Sequence, residues 1–455
     1  MRAQAGLSGG ESVSEVARDL TGNASRFIWF RLLFNCRFYY PIFTVLFLDL
    51  GLTIGEFAGL NVLWAVTIVL AEVPSGALAD TLGRRKLVVV ASWLMVAEML
   101  TLCLMPVGNH EVVLALFVVN RILSGLAEAA ASGADEALAY DSFPQAERGV
   151  LWPKLMARLS RWSAVGFMIS SISGSLLYDH EVVSRLLGVL GMSAVPKEVT
   201  MKVPLVLNLM AAIACVLVVR GMVEAGGEEK SKSSGAGWQN QAVAALSRIL
   251  ETGKWIWNSQ AALWLIVMGV VFDSIIRLFL TVASNYYRLV QIEERWYGVI
   301  GVVMSLLGLM TAGLMERLSI RRSARFNFTW MAVAVGFGLA GAALALPGWG
   351  GVVLILPLVM CMRFLQFFLS HYMNEVIDSE RRATALSFRG LTMNLAYGFM
   401  TLLFALQTHF ITRQTGLAQE DVRVFAQALT WWPFWFVGTL LVAVVWLGSH
   451  RRQRA

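Results

Sequence analysis

Four arginines stand inside long apolar runs of the chain, at Arg37, Arg121, Arg277 and Arg363. A charged side chain that faces hydrocarbon costs several kcal/mol, so each of the four needs a partner or a polar space. A guanidinium group binds carboxylate or phosphate through two parallel hydrogen bonds. These arginines are therefore candidates for binding an anionic or zwitterionic molecule.

Acids in the same runs offer a second explanation for the arginines. Asp273 lies four residues before Arg277, and Glu128 lies seven residues after Arg121, so each acid can neutralise its neighbour. Internal pairing and direct contact with a bound molecule stay open as equal alternatives for every one of the four.

Polar residues follow two of the arginines at a helical spacing. Arg121 and Arg363 each begin a set at i, i+3, i+7 and i+11, which places each set on one helix face. The first set continues with Ser124, Glu128 and Ser132, and the second with Gln366, Ser370 and Asn374. The candidate substrate-binding residues are Asn35, Arg37, Tyr40, Arg121, Arg277, Arg363, Gln366, Ser370 and Asn374.

Carboxyl groups in the apolar runs are candidate proton carriers. Burial favours the protonated form of a carboxyl group, and a nearby arginine favours the ionised form, so a moving arginine makes a proton switch. Glu128 is the first candidate because it shares a face with Arg121. Asp273, Glu72 and, after them, Glu98 in span 3 are the others. Glu72 is equally well explained by a structural role beside Pro74.

The elements that position these residues are apolar runs of membrane-spanning length. Hydrophobic residues make up 57% of the 455 and charged residues only 15%, and runs of roughly twenty apolar residues recur throughout. The continuous runs predict helices rather than a barrel. We predict an all-α polytopic membrane protein with twelve spans at 27–50, 57–79, 87–106, 112–138, 155–178, 203–222, 261–290, 297–316, 326–346, 351–377, 384–410 and 428–448.

A polar, linker-like stretch divides the spans into two sets of six. We predict a tail at 1–26, an N half at 27–222, a linker at 223–260, a C half at 261–448 and a tail at 449–455. The linker has an amphipathic pattern at 242–259. Loops on the side of both termini are rich in arginine and lysine, which places both termini in the cytoplasm.

One charged loop carries a family resemblance. Gly76 to Lys86 reads GALADTLGRRK, which is similar to the G-x-L-A-D-x-x-G-R-R-K signature of the major facilitator superfamily, in the loop between spans 2 and 3. Arg121, Gly125 and Ala129 also fit the fourth-helix pattern of that family. The chain departs from the family at Thr81, where a base is frequent. The resemblance covers essentially the whole chain and implies twelve helices in two six-helix halves.

The resemblance also implies roles for residues. Spans 1, 4, 7 and 10, which carry the four arginines, would line a central cavity. Asp80 would meet a helix of the other half and pair with Arg84 in a latch that breaks as the halves rock, whereas a solvated loop that fixes topology is the alternative. The candidate latch residues are Gly76, Asp80, Gly83, Arg84, Arg85, Asp135, Glu136 and Asp141.

Other classes of function lack their motifs in the sequence. There is no phosphate-binding loop, nucleophile elbow or metal-ligand spacing, so we expect neither an enzyme nor a cofactor. The net charge of +7 lies in short loops, which indicates membrane orientation rather than nucleic-acid binding. We expect a monomeric, proton-coupled secondary transporter of a small organic solute in the plasma membrane (the inner membrane of a Gram-negative bacterium). A multidrug-type antiporter, a lipid flippase and a transport-dead sensor are the alternatives.

Overall fold

The computed structural model describes residues 9–106, 108–224, 238–377, 379–418 and 421–452, and the regular elements in these ranges are helices. The N half contains α1 (Gly9–Asn35), α2 (Phe43–Asp49), α3 (Ile54–Leu82), α4 (Arg84–Cys103), α5 (His110–Ala131), α6 (Ala134–Asp141), α7 (Arg148–Tyr178), α8 (His180–Val189), α9 (Lys197–Thr200) and α10 (Val203–Arg220). The predicted tail at 1–26 is therefore helical from Gly9 onward.

One helix lies in the linker, and the C half follows it. The linker helix is α11 (Trp238–Asn258); residues 225–237 of the predicted linker lie outside the described ranges. The C half contains α12 (Gln260–Thr281), α13 (Ala283–Leu289), α14 (Tyr297–Met310), α15 (Ala312–Arg321), α16 (Ala324–Leu344), α17 (Trp349–Leu354), α18 (Leu356–Val376), α19 (Ser379–Thr415) and α20 (Val422–Arg452). Below, the end of the bundle beside α11 is called the linker end, and the opposite end the far end.

The described helices agree with a multi-span membrane protein. In these ranges, nine helices are long and apolar enough to cross a membrane. The helices α14 and α15 meet at a 42° bend and form a tenth span if the two are counted together. The two other predicted spans have a physical reason for failing that test. The first is broken between α1 and α2, and α7 is continuous but carries bases in its first half and serines in its second. The count of twelve stays a prediction.

The break in the first span lies at residues 36–39. Proline disfavours helix at the residue before it, and Pro41 follows the break by two residues. The backbone N–H of Phe38, which lacks a helical acceptor, donates to Oδ1 of the buried Asn208 on α10 at 2.7 Å. The Phe38 carbonyl lies where a Cβ on Gly174 of α7 would stand, so the glycine permits the approach. The break is therefore held by two neighbouring helices.

The loop between α3 and α4 turns at Gly83, whose φ of 102° favours glycine. The carboxylate of Glu224 accepts the backbone N–H of Arg84 at 2.8 Å and that of Arg85 at 3.3 Å. It thereby satisfies two of the first N–H groups of α4, which have no partner within the helix. A Cβ on Gly83 would come within 2.7 Å of Glu224, so this turn requires glycine twice over.

The two halves meet along two helix pairs, α3 with α19 and α7 with α14. Trp64 on α3 packs edge-on against Tyr397 on α19, with ring centroids 6.5 Å apart. Gly298 on α14 lets the Ser171 carbonyl of α7 come close. The linker helix α11 packs on both α3 and α19 and so touches both halves. The two halves are therefore joined directly by these helix pairs and also through the linker helix.

Candidate functional site

Arg37 lies at the break in the first span and is 5% exposed. Its Nη1 is 3.2 Å from Oε2 of Glu98, which is fully buried on α4, and its guanidinium lies 5.4 Å from the centre of the Phe34 ring. In this conformation Arg37 is therefore paired inside the N half. Its proposed contact with a substrate stays a prediction, as do those of Asn35, whose amide donates to the Arg31 carbonyl, and of Tyr40, which is exposed.

Arg121 on α5 is 3% exposed, and its guanidinium has no acid at ion-pair distance among the described residues. Its Nε and Nη2 donate to Oδ1 of Asn120 at 3.0 and 2.7 Å. The guanidinium also lies over the rings of Phe43 and Phe47, at 5.5 and 5.1 Å from their centres. A desolvated guanidinium that has only a neutral amide and two rings around it is available for an anion.

Arg277 on α12 is engaged on three sides. Its Nη2 is 2.5 Å from Oδ2 of the fully buried Asp273, and its Nη1 donates to Oδ1 of Asn394 at 2.8 Å. The guanidinium lies 5.4 Å from the centre of the Tyr397 ring, whose hydroxyl is 3.0 Å from Thr281. The acid four residues earlier is thus in contact with this arginine, and α19 supplies the remaining partners.

The polar face of α18 is solvent-accessible along its length. Its members Arg363, Gln366, Ser370 and Asn374 are all exposed. One of them reaches the C-half ion pair, since Nε2 of Gln366 donates to Oδ1 of Asp273 at 3.4 Å. His371 beside them lies 3.2 Å from Glu375. The structure therefore joins Gln366 with Asp273 and Arg277, and it does not join Arg363 to them.

The three N-half candidates for proton transfer differ in surroundings, and Glu98 is the one paired with Arg37. Glu128 is exposed on α5, and no described side chain lies at ion-pair distance from it. Glu72 on α3 is half-buried, with Oε2 unpartnered, and faces the Gly390 backbone of α19. Glu128 is therefore accessible for proton exchange, whereas Glu72 needs water or a ligand to reach its unpartnered oxygen.

Arg389 on α19 was missed in the sequence, although it stands in the first turns of the span predicted at 384–410. Its buried Nη1 has no hydrogen-bond acceptor, and it lies within electrostatic reach of Asp273. An arginine within a predicted span is the signal that could have found it.

Charged side chains of the N half cluster at the linker end. Arg84 forms an ion pair with Asp141, and Arg148 reaches the same acid at 3.4 Å. Arg31 contacts Asp135 at 2.5 Å and Glu136 at 2.8 Å. These contacts all lie within one half. Gly76 is exposed in α3, Arg85 donates to the Arg220 carbonyl at 3.1 Å, and the side chain of Asp80 lies outside the described residues.

A cavity of about 670 Å³ opens at the linker end between the halves. Its walls include Glu72 and Gly76 of α3, Ser132 at the end of α5, Arg248 of the linker helix and Ser387 of α19. Of the residues predicted from the sequence, Glu72, Gly76 and Arg84 line this cavity.

The far end is closed by charges that the sequence did not single out. Arg288 of the C half grips Asp49 of the N half, with Nη1–Oδ1 at 2.7 Å and Nη2–Oδ2 at 2.8 Å. Lys197 bridges Asp49 at 2.8 Å and Glu294 at 2.7 Å, and Arg288 also donates to Glu294 at 2.7 Å. Tyr178 donates to Asp49 at 2.5 Å. These five side chains form the far-end network. The five residues stand at the ends of separate helices, scattered between 49 and 294, and left no sequence pattern to detect.

Comparison with known families decides what this helical bundle is. The sequence model of the Major Facilitator Superfamily matches residues 30–401, most of the chain. The chain belongs to this superfamily. The family resemblance and the all-α fold predicted from the sequence are thereby confirmed, and the protein is a secondary transporter of the multi-pass membrane type rather than an enzyme.

Solved structures of similar fold come from several transporters of this superfamily. The nucleoside transporter NupG has a TM-score of 0.63 at 12% identity, covering 95% of this chain and 98% of that chain. A bacterial homologue of the human lysosomal transporter Spinster, inward-facing and occupied, has a TM-score of 0.62 at 13% identity over 95% and 96%. A D-xylose–proton symporter has a TM-score of 0.56 at 13% identity over 92% and 96%. Comparison with curated protein sequences gives no match.

Proposed function

We propose that this superfamily member moves a small organic anion or zwitterion by alternating access and couples its movement to protons. Alternating access exposes one site between two halves to each side in turn. The far-end network and the cavity at the linker end support the proposal, because they describe one closed and one open end of the same junction.

The substrate class rests on one observation, the buried guanidinium of Arg121 without an acid partner. An uncompensated buried charge is costly, so a negatively charged ligand that pairs with it gains more than it would in water. Phe43 and Phe47 line the same place and suit the apolar part of an organic acid. A lipophilic cation would be repelled here.

The C half contributes a site of mixed charge. Asp273 and Arg277 neutralise each other, and Gln366 touches the acid. An ammonium group could approach Asp273 while a carboxylate binds Arg121, so a zwitterion fits the two halves together. Arg389, with its unpartnered Nη1, adds a second donor beside Asp273.

Proton coupling rests on acids without a fixed partner. Glu128 shares the α5 face with Arg121 and has no described cation at ion-pair distance. An anion bound at Arg121 would therefore change the electrostatic potential at the Glu128 carboxyl group. One protein of similar fold is a D-xylose–proton symporter, in which movement of the solute is coupled to movement of protons. Glu72 and Asp273 are the alternatives for the same role.

The membrane placement follows from the loop charges. The positive-inside rule favours the cytoplasmic side of a plasma membrane for the linker end and both termini, and in that orientation the closed far end would face outward. The proposed latch at Asp80 would form only when the linker end closes. Of the latch candidates whose side chains are described, Arg84 is held by Asp141.

A thermal-shift screen of the purified protein in detergent tests the substrate class. Carboxylates or zwitterions should raise the unfolding temperature, and Arg121→Ala should remove that ligand-induced rise. Arg413→Ala, which removes an exposed arginine at the far end, is the matched control and should keep it. Stabilisation by cations alone, retained in Arg121→Ala, would refute the proposal.

A further inference from the structure

A groove of about 980 Å³ lies within the C half, away from the junction of the halves. Spans α16 and α20 pack against each other, and toward the linker end the groove lies between them. The first turns of α12, with Trp264, and the end of α18, with Tyr372, also line it. Because neighbouring side chains such as Val333 and Leu441 are exposed at 70% and 59%, this flank of a membrane protein faces lipid.

The groove is polar at its outer end and apolar farther in. Arg322, Ser323 and Arg325 stand at the start of α16, at the linker end. Ala332, Leu440 and Val444 line the part nearer the membrane centre. From Ser323 to Ala332 the helix rises about 13 Å, which is the depth of a headgroup followed by part of an acyl chain.

The charge at the outer end is uncompensated. Arg322 and Arg325 are exposed, and no ion pair to either one occurs among the described residues. The guanidinium of Arg322 rests over the Phe326 ring at 4.8 Å. Glu375 is the acid on the groove wall, and it lies 3.2 Å from His371. The net charge of this end is therefore positive.

We propose that this groove binds one anionic phospholipid of the leaflet at the linker end. Its phosphate would be held by Arg322 and Arg325, and one acyl chain would lie along Ala332, Leu440 and Val444. A water-soluble anion matches the arginines but leaves the apolar part of the groove unfilled. Basic pockets between spans on the cytoplasmic side have the chemistry that recognises anionic headgroups.

Native mass spectrometry of the detergent-purified protein, titrated with phosphatidylglycerol or phosphatidylcholine of identical chains, tests the proposal. Wild type should retain phosphatidylglycerol preferentially. Arg322→Ala with Arg325→Ala should weaken that retention about thirtyfold, because each arginine near an anionic headgroup contributes about 1 kcal/mol to binding. Lys154→Ala with Arg158→Ala, two exposed bases of α7 outside the groove, is the matched control and should bind as wild type does.

A second variant tests the acyl-chain part without changing charge. Ala332→Trp should fill the apolar end and lower phosphatidylglycerol retention while both arginines remain. Equal binding of the two lipids, stronger retention of phosphatidylcholine, or undiminished retention of phosphatidylglycerol in the double arginine variant would each overturn the proposal. So would competition by water-soluble glycerol phosphate at the concentration of the lipid.

Discussion

Asp49 and Arg288 join the two halves at the far end through a two-pronged ion pair, with N–O distances of 2.7 and 2.8 Å. The pair is partly exposed, with 19% and 32% of the two side chains accessible. Lys197 and Glu294 complete an alternation of two acids and two bases. Removing either acid therefore leaves the two bases, Arg288 and Lys197, beside a single acid, so that their mutual repulsion is no longer balanced.

Asp49→Asn should open the far end more often. The substitution removes the negative charge that pairs with both Arg288 and Lys197. At a partly exposed site this loss is worth about 1 kcal/mol, or about a fivefold change in the population of the open state. Ser284, buried beside Thr44 of the other half, reports the change. In a cysteine-free background, Ser284→Cys should be alkylated about fivefold faster when Asp49→Asn is added.

The control for that prediction is Asp421→Asn. Asp421 contacts Arg423 at 2.6 Å, also at the far end but within one half. Its loss should leave the alkylation rate of Ser284→Cys as it was. If Ser284→Cys is alkylated at the same rate with Asp49→Asn as with Asp421→Asn, the far-end network does not hold that end closed.

Glu98→Gln should destabilise the protein strongly. It leaves the Arg37 guanidinium buried without a counter-charge, and breaking a buried ion pair costs about 3–5 kcal/mol. Thermal unfolding in detergent measures the loss. Glu181→Gln, which breaks an exposed pair with Arg185, should change stability by less than about 1 kcal/mol. Replacing both partners, as Arg37→Met with Glu98→Leu, should recover much of the loss.

Gly83→Ala should destabilise, whereas Gly76→Ala in the same signature should not. An alanine at the positive φ of Gly83 costs about 1–3 kcal/mol and its Cβ would meet the Glu224 carboxylate. Gly76 lies within a helix, and a Cβ there meets nothing within 4 Å. Unfolding temperatures of the two variants should differ clearly; similar values would mean that the turn relaxes.

Glu128→Gln should uncouple transport from the proton gradient. With a substrate identified by the thermal-shift screen, uptake or efflux in proteoliposomes should lose its response to a pH gradient. Exchange of labelled for unlabelled substrate needs no net proton movement and should continue. Glu111→Gln, at the exposed start of the same helix, is the control. Gradient-driven transport that persists in Glu128→Gln would exclude this carrier.

Much of the fold could be predicted from the sequence, because hydropathy and periodicity report membrane spans directly. The signature loop also predicted a position for Gly83, and its φ gives the physical reason for glycine there. The break after Asn35 was not predicted, because it depends on Gly174 and Asn208 from distant helices.

Partners were harder to predict than positions. The pairing of Arg277 with Asp273 follows from helical spacing, and it is present. Arg37 instead pairs with Glu98, sixty-one residues away, which no local spacing reveals. The far-end network joins the ends of separate helices that share no sequence pattern, so long-range packing alone brings Asp49 to Arg288.

The break at residues 36–39 separates two anchorages of one span. Below it, α1 is fastened to the N half through Arg31 and Asn23. Above it, α2 is fastened to the opposite half through Thr44 and Asp49. We expect α2 to pivot about these unwound residues when the far end opens. α1 can then keep its contacts with the N half. Because Arg37 lies within the break, its distance to Glu98 would then change each time α2 moves.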